Sequence, residues 1–191
     1  MNAEASNGKE KVILGIDPGT NVMGYGIIEV MGSKIKLLQY GVVHVGKYDK
    51  DDHALKLKKI YDKVGQLIEE FMPDYVAIEA PFYGKNIQSM LKLGRAQGVA
   101  LAGALARGIP IIEYSPKKIK QSVTGNGNAT KEQVAFMLQR MFNLADMPEF
   151  FDATDALAVA LCHHYQNKTV FSKTTKNNWD AFIKENPGRV K

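Results

Sequence analysis

One cysteine in 191 residues, Cys162, leaves no partner for an internal disulfide and no cysteine-built zinc site. No apolar run approaches the roughly 18 residues that cross a bilayer. The opening stretch MNAEASNGKE is polar, which argues against a signal peptide or an anchor. Internal repeats, low-complexity tracts and a G-x-x-x-x-G-K-[ST] phosphate loop are all missing. These absences exclude a disulfide-stapled secreted mini-protein, a helical membrane protein and a disordered chain, and they point to a reducing, cytoplasmic setting. What is present is ordinary for a globular domain: 45% hydrophobic and 24% charged residues. A chain of this length buries enough surface to fold without a metal or a staple.

Positive charge is unevenly spread. Of the net +5, four charges fall in residues 168–191, which hold six bases and two acids. The rest is nearly neutral, so an anionic ligand has to be met by local clusters. Two exist. The stretch 84–97 holds Lys85, Lys92 and Arg95 with no acid, and 115–133 holds Lys117, Lys118, Lys120 and Lys131 against Glu132 alone. Each reads either as a solvated helix face, the ordinary fate of a charge run, or as a path for a phosphate backbone.

The chain divides into a leader (1–10), a main domain (11–167) and a basic tail (168–191). KVILGI (11–16) is a buried-strand run, broken by the turn DPGT. YGIIEV (25–30) and KIKLLQYGVV (34–43) follow with short connections, as in an antiparallel meander. Leu57, Ile60, Tyr61, Val64 and Ile68 recur at helical spacing within a helix over 52–71. YVAIEA (75–80) and PIIEY (110–114) are further strands, separated by a Gly- and Ala-rich helix over 86–107. Helices over 116–123, 130–142 and 153–166 end the body. Strand–helix–strand crossovers make parallel pairs, so the order predicts an α/β domain: a five-stranded mixed β-sheet flanked by helices on both faces. In the tail, Trp179, Phe182 and Ile183 fall at i, i+3, i+4, so the tail is either a short docked helix or an electrostatic arm.

Four carboxylates stand out. Asp17 ends the first strand and Glu79 the fourth, while Asp152 and Asp155 open the last helix in FDATDALAVAL, three residues apart and so on one face. Sites in parallel α/β sheets gather beyond the carboxyl ends of strands, where parallel neighbours one and four would bring Asp17 and Glu79 together. Taken singly, Asp17 also reads as a turn former, Asp152 as an N-cap and Asp155 as a dipole partner. Glu79 directly after VAI is harder to explain structurally, because burying an acid is costly unless it is paired or metal-bound. Clustered carboxylates repel one another, and a hard divalent cation relieves that repulsion. All-oxygen ligands suit magnesium, or manganese in its place, and two such ions about 4 Å apart clamp a phosphodiester for attack by water.

Weaker signals have simpler readings. Thr130 with Gln133 forms a capping box before a helix, although GNGNATKEQ also reads as a phosphate-binding turn. His163, His164 and Cys162 read as helix residues of the core.

ILGIDPGTNVMGYGII (13–28), PDYVAIEAPFYGKN (73–86), LKLGRAQGVA (91–100) and DATDALAVAL (152–161), in this order, resemble four blocks of the RuvC family of Holliday junction endonucleases. The similarity covers roughly residues 11–166. It implies a ribonuclease H-like fold and a structure-selective endonuclease that nicks two like-polarity strands of a four-way junction in recombination and repair, leaving 5′-phosphate and 3′-hydroxyl ends. By the same resemblance Asp17, Glu79, Asp152 and Asp155 are the catalytic, metal-binding acids, holding two Mg2+ ions with Mn2+ as a substitute. Lys120 and Lys131 match basic positions near the scissile phosphate, and Phe82 an aromatic that stacks on a base near the crossover. Tyr83, Lys85, Lys92, Arg95, Lys117 and Lys118 are the remaining candidates for DNA contact. The resemblance further implies a homodimer and a RuvA–RuvB branch-migration partner. Pro81, between Glu79 and Phe82, departs from the family pattern and bears on how that loop is placed.

Two other readings compete. A phosphotransferase of the actin and sugar-kinase class also begins with a strand ending in Asp and a Gly-Thr turn, but it needs two lobes and the length allows one. A non-catalytic junction-binding module would leave four acids without a role.

Overall fold

The computed structural model describes residues 10–46, 52–80, 86–144 and 151–173. Three strands, β1 (Lys11–Asp17), β2 (Val22–Met31) and β3 (Lys34–His44), form the antiparallel meander. Then come α1 (His53–Phe71), β4 (Tyr75–Glu79), α2 (Ile87–Leu105), β5 (Ile111–Tyr114), α3 (Pro116–Thr124), α4 (Lys131–Phe142) and α5 (Phe151–Lys173). The sheet order is β3-β2-β1-β4-β5, with β1, β4 and β5 parallel. Mixed sheet and element order are as the sequence predicts.

The helix ends have local causes. Asp52 caps α1 by accepting from the Leu55 amide at 2.8 Å, and Met72 closes it in the left-handed conformation before Pro73. Asp74 then ties the chain back to the sheet by accepting from the Val12 amide at 2.8 Å. Thr130 and Gln133 make the expected reciprocal capping box at the start of α4.

Alternation along the strands sorts the core into two layers. Leu14, Ile16, Val76 and Ile78 face α1 and α2, where they bury Ile60, Val64, Leu67, Ala100 and Ala104. Ile13 and Ala77 face the other way, onto α3, α4 and α5. On a strand of period two, Asp17 and Glu79 share that second face.

Two strand and helix limits differ from the sequence reading. β2 starts at Val22 rather than Tyr25, because Gly24 still pairs with Asp17 and with Val42. α5 begins at Phe151 and runs to Lys173 instead of spanning 153–166, so the domain–tail boundary at 167/168 falls within a helix. Residues 174–191, with Trp179, Phe182 and Ile183, lie outside the described residues, as do the leader 1–9 and Pro81, Phe82, Tyr83, Gly84 and Lys85.

Candidate active site

The register of β1 on β4 aligns Ile16 with Ile78. The next residues, Asp17 and Glu79, therefore leave the two parallel strands side by side. Gln97, buried on α2, steadies the end of β4: its Nε2 donates to the Glu79 carbonyl at 3.4 Å and to Glu113 Oε2 at 3.1 Å.

α5 closes on this point because the sheet beneath it has no side chains in the way. A Cβ on Gly24 would lie 1.9 Å from the Asp152 carbonyl oxygen, one on Gly15 2.1 Å from that of Ala156, and one on Gly26 2.7 Å from Leu157 Cα. These three glycines let the helix backbone rest on the strands, which sets the first turn of α5, with Asp152 and Asp155, over the end of β1. Sequence reasoning about acids overlooked them, although glycines inside β-branched strands signal close backbone approach.

Asp17, Glu79, Lys120, Lys131 and Asp155 line one pocket of about 100 Å³, walled by Pro116, Ile119, Val134 and Ala158. Asp152 is half-buried in the same turn of α5 and its charge bears on Asp17 and Asp155, but it does not line the pocket. Lys131 Nζ donates to Asp155 Oδ2 at 2.5 Å. Lys117 and Lys118 are exposed on α3, and Lys92 and Arg95 are exposed on α2.

The electrostatics are those of crowded acids. Burial, then the charges of Glu79 and Asp155, push the Asp17 carboxyl up to about 8. Burial and Asp155 push Glu79 up to about 7, with Lys131 and Lys120 pulling the other way. Burial raises Asp155 against the opposing hydrogen bond from Lys131. Burial works against the charge of Lys131, yet its bond to Asp155 and the nearby aspartates raise it overall.

This donor set fits a hard divalent cation. It is all oxygen, and its carboxylates are held proton-hungry by burial and then by one another, a penalty that a cation at their centre offsets. Among the described residues no three His, Cys, Asp or Glu side chains lie close enough to share one ion. His163 serves structure: Tyr114 Oη and Asn167 Nδ2 sit 2.9 Å from its two ring nitrogens, and burial pushes it down to about 4. Cys162 is buried, 3.2 Å from Ser122 Oγ.

Comparison with known proteins agrees with the geometry. The family model described as crossover junction endodeoxyribonuclease RuvC matches residues 13–163. A protein of that name from Cytophaga hutchinsonii is 56% identical over all of this chain and 94% of its own length. Another, from Bacteroides fragilis, is 55% identical over 96% of this chain and 97% of its own. Among solved structures, T. thermophilus RuvC in complex with Holliday junction substrate superposes with a TM-score of 0.77 at 32% identity, covering 83% of this chain and 96% of that one.

Proposed function

Because the chain belongs to the RuvC family of crossover junction endodeoxyribonucleases, an endonuclease family of Holliday junction resolvases with the ribonuclease H-like fold, we propose that its active centre is the pocket of Asp17, Glu79 and Asp155, with Asp152 completing the acid set. The observation that carries this reading is the placement of half-buried, mutually repelling carboxylates at the carboxyl ends of β1 and β4, faced by α5 and two lysines.

The family uses a divalent metal; for this chain we assign two Mg2+ ions to Asp17, Glu79, Asp152 and Asp155, with Mn2+ able to replace them. Bound there, such ions activate the attacking water and offset charge on the phosphate. The protein does the rest. The strand ends fix the carboxylates, and Lys120 and Lys131 stand at the same mouth to meet phosphate charge as it develops. Ile119, Val134 and Ala158 keep one wall dry, which strengthens those interactions. Lys85, Lys92, Arg95, Lys117 and Lys118 carry the backbone of four-way junction DNA, Tyr83 is a further DNA contact, and Phe82 stacks on a base near the crossover. The products are two symmetric nicks with 5′-phosphate and 3′-hydroxyl ends.

The exposed face of α2 supports a homodimer. Ile87, Leu91, Gly94, Gly98, Leu101 and Leu105 recur at alternating four and three, a single stripe along the helix. Ile87, Leu91 and Leu105 are 71%, 54% and 64% exposed. A Cβ on Gly94 or Gly98 would meet nothing within 4 Å, so a second α2 can approach closely there. An isologous pair gives two active centres for two strands. Partnership with a RuvA–RuvB complex, a DNA-binding role for residues 168–191 and a cytoplasmic location complete the proposal. No described helix is long and apolar enough to cross a membrane.

The test is cleavage of a strand-labelled four-way junction beside a linear duplex, in Mg2+, Mn2+ or chelator. Paired nicks confined to the junction, lost in chelator and lost in Asp17→Asn while junction binding persists, are expected. Nicking that survives Asp17→Asn places the chemistry elsewhere, and tight binding without nicking in either metal makes the chain a binding module.

A further inference from the structure

Lys131 is the first residue of α4, directly after Thr130, the N-cap of the Thr130–Gln133 capping box. That end of a helix disfavours a cation, so the lysine is held there by the carboxylates it faces. It bonds one oxygen of Asp155, whose side chain is only 14% exposed, whereas its own is 55% exposed. Lys120 lines the same pocket and its charge bears on Asp155, but among the described residues it is Lys131 that pairs with Asp155 directly. Lys131 is thus the positive charge that neutralises Asp155 from inside the protein.

A divalent cation at the same carboxylate oxygen competes with that ammonium, because two cations in contact with one oxygen repel strongly in a half-dry pocket. The lysine stem is flexible and already half in solvent, so it can turn outward without moving α4. Outward is the mouth through which a phosphate arrives.

We propose that Lys131 is a displaceable internal cation: a divalent ion ejects it from Asp155, and the freed ammonium is captured by a phosphate oxygen of the DNA. This rests on the carboxylate site proposed above. Its consequence is coupling. DNA holds Lys131 in the released position and so favours the metal, and the metal frees Lys131 and so favours DNA, by the same factor. Lys131 acts here as a positioning residue in the loading of the site, besides any contact it makes during cleavage.

The experiment measures Mn2+ binding to the full chain by calorimetry at fixed pH and ionic strength, for the wild type, Lys131→Met, Lys131→Arg and Lys120→Met. Lys131→Met should bind Mn2+ about tenfold more tightly, within the range usual for coupled sites. Lys131→Arg, which keeps the charge and can pair with Asp155 through two bonds, should bind Mn2+ more weakly than wild type. Lys120→Met, which removes a pocket charge without freeing Asp155, should gain less than Lys131→Met. Junction affinity by fluorescence anisotropy should rise with Ca2+ over chelator in the wild type, and this rise should shrink in Lys131→Met. If wild type binds no Mn2+, or Asp155→Asn binds it equally well, the carboxylate site itself is wrong. If wild type binds Mn2+ at Asp155 but Lys131→Met gains no more than Lys120→Met, or Lys131→Arg binds as wild type, the exchange is overturned and the site stands.

Discussion

Replacing Gly24 by alanine tests whether the glycine floor under α5 sets the active site. The new Cβ would lie 1.9 Å from the Asp152 carbonyl oxygen and 2.5 Å from its carbon. Both atoms are backbone, so no rotamer relieves the clash. Ordinary contact begins near 3.4 Å, so helix or strand has to give by about 1.5 Å. Overpacking of this kind costs about 1–3 kcal/mol of stability. The catalytic cost should fall at the upper end of the same range, because a displacement of about 1 Å at a reacting centre can lower a rate about a hundredfold, which is about 2.7 kcal/mol. The assay pairs urea unfolding with single-turnover cleavage at saturating junction, under conditions where the variant is almost wholly folded. Gly24→Ala should bind junction DNA as wild type does, lose about 1–3 kcal/mol and cleave about a hundredfold more slowly. A folded variant that cleaves at the wild-type rate would refute the idea that backbone contact at Gly24 fixes the acids of α5.

Three other outcomes are expected. Asp17 and Glu79 are pushed up to about 8 and about 7, so above pH 6.5 the folded chain holds more protons than the unfolded one and stability falls as pH rises toward 8. This window lies above the range in which His163 titrates. In chelator, urea unfolding should show that fall, and Asp17→Asn should flatten it; equal slopes in both proteins would contradict the burial of Asp17. Leu91→Glu places a charge in the α2 stripe and should shift the protein from dimer to monomer in sedimentation while leaving its circular dichroism unchanged. An unaffected dimer would move the interface off α2. Phe82→Ala should reduce cleavage more than binding, by up to the roughly 1–3 kcal/mol that base stacking contributes; equal loss in both would make the ring a binding contact only.

The sequence is most legible where one local rule decides. Leu57, Ile60, Val64 and Ile68 define α1 by their spacing alone, and the Thr130–Gln133 box marks the start of α4 correctly. Asp17 and Glu79 are recognisable because an acid follows an apolar strand, and the parallel register sets them side by side. Long-range contact is harder to read. That Lys131 reaches Asp155 depends on how α4 packs on α5, and nothing near residue 131 encodes it. Gly24 falls just outside the strand read from Tyr25, because glycine usually weakens a strand; its pairing with Asp17 and the approach of α5 reverse that local preference. The two lysine clusters also divide. Among their described members only Lys120 and Lys131 reach the pocket, while Lys92, Arg95, Lys117 and Lys118 stay on exposed helix faces, a distinction that charge counts do not contain.

From Ala153 to His164 every residue of α5 except Asp155 is buried. The helix that carries two of the four acids is thus also the keel of the domain, touching all five strands and two helices. Nature cannot retune those acids by drifting a surface loop, since any adjustment of their pitch is a change to the keel. Substitutions at Leu157 or Leu161, chosen to harden the protein against heat, should therefore register as altered cleavage, and lineages that trade core volume should carry compensating changes at Gly15, Gly24 and Gly26. Durability and chemistry are inherited here as a single trait.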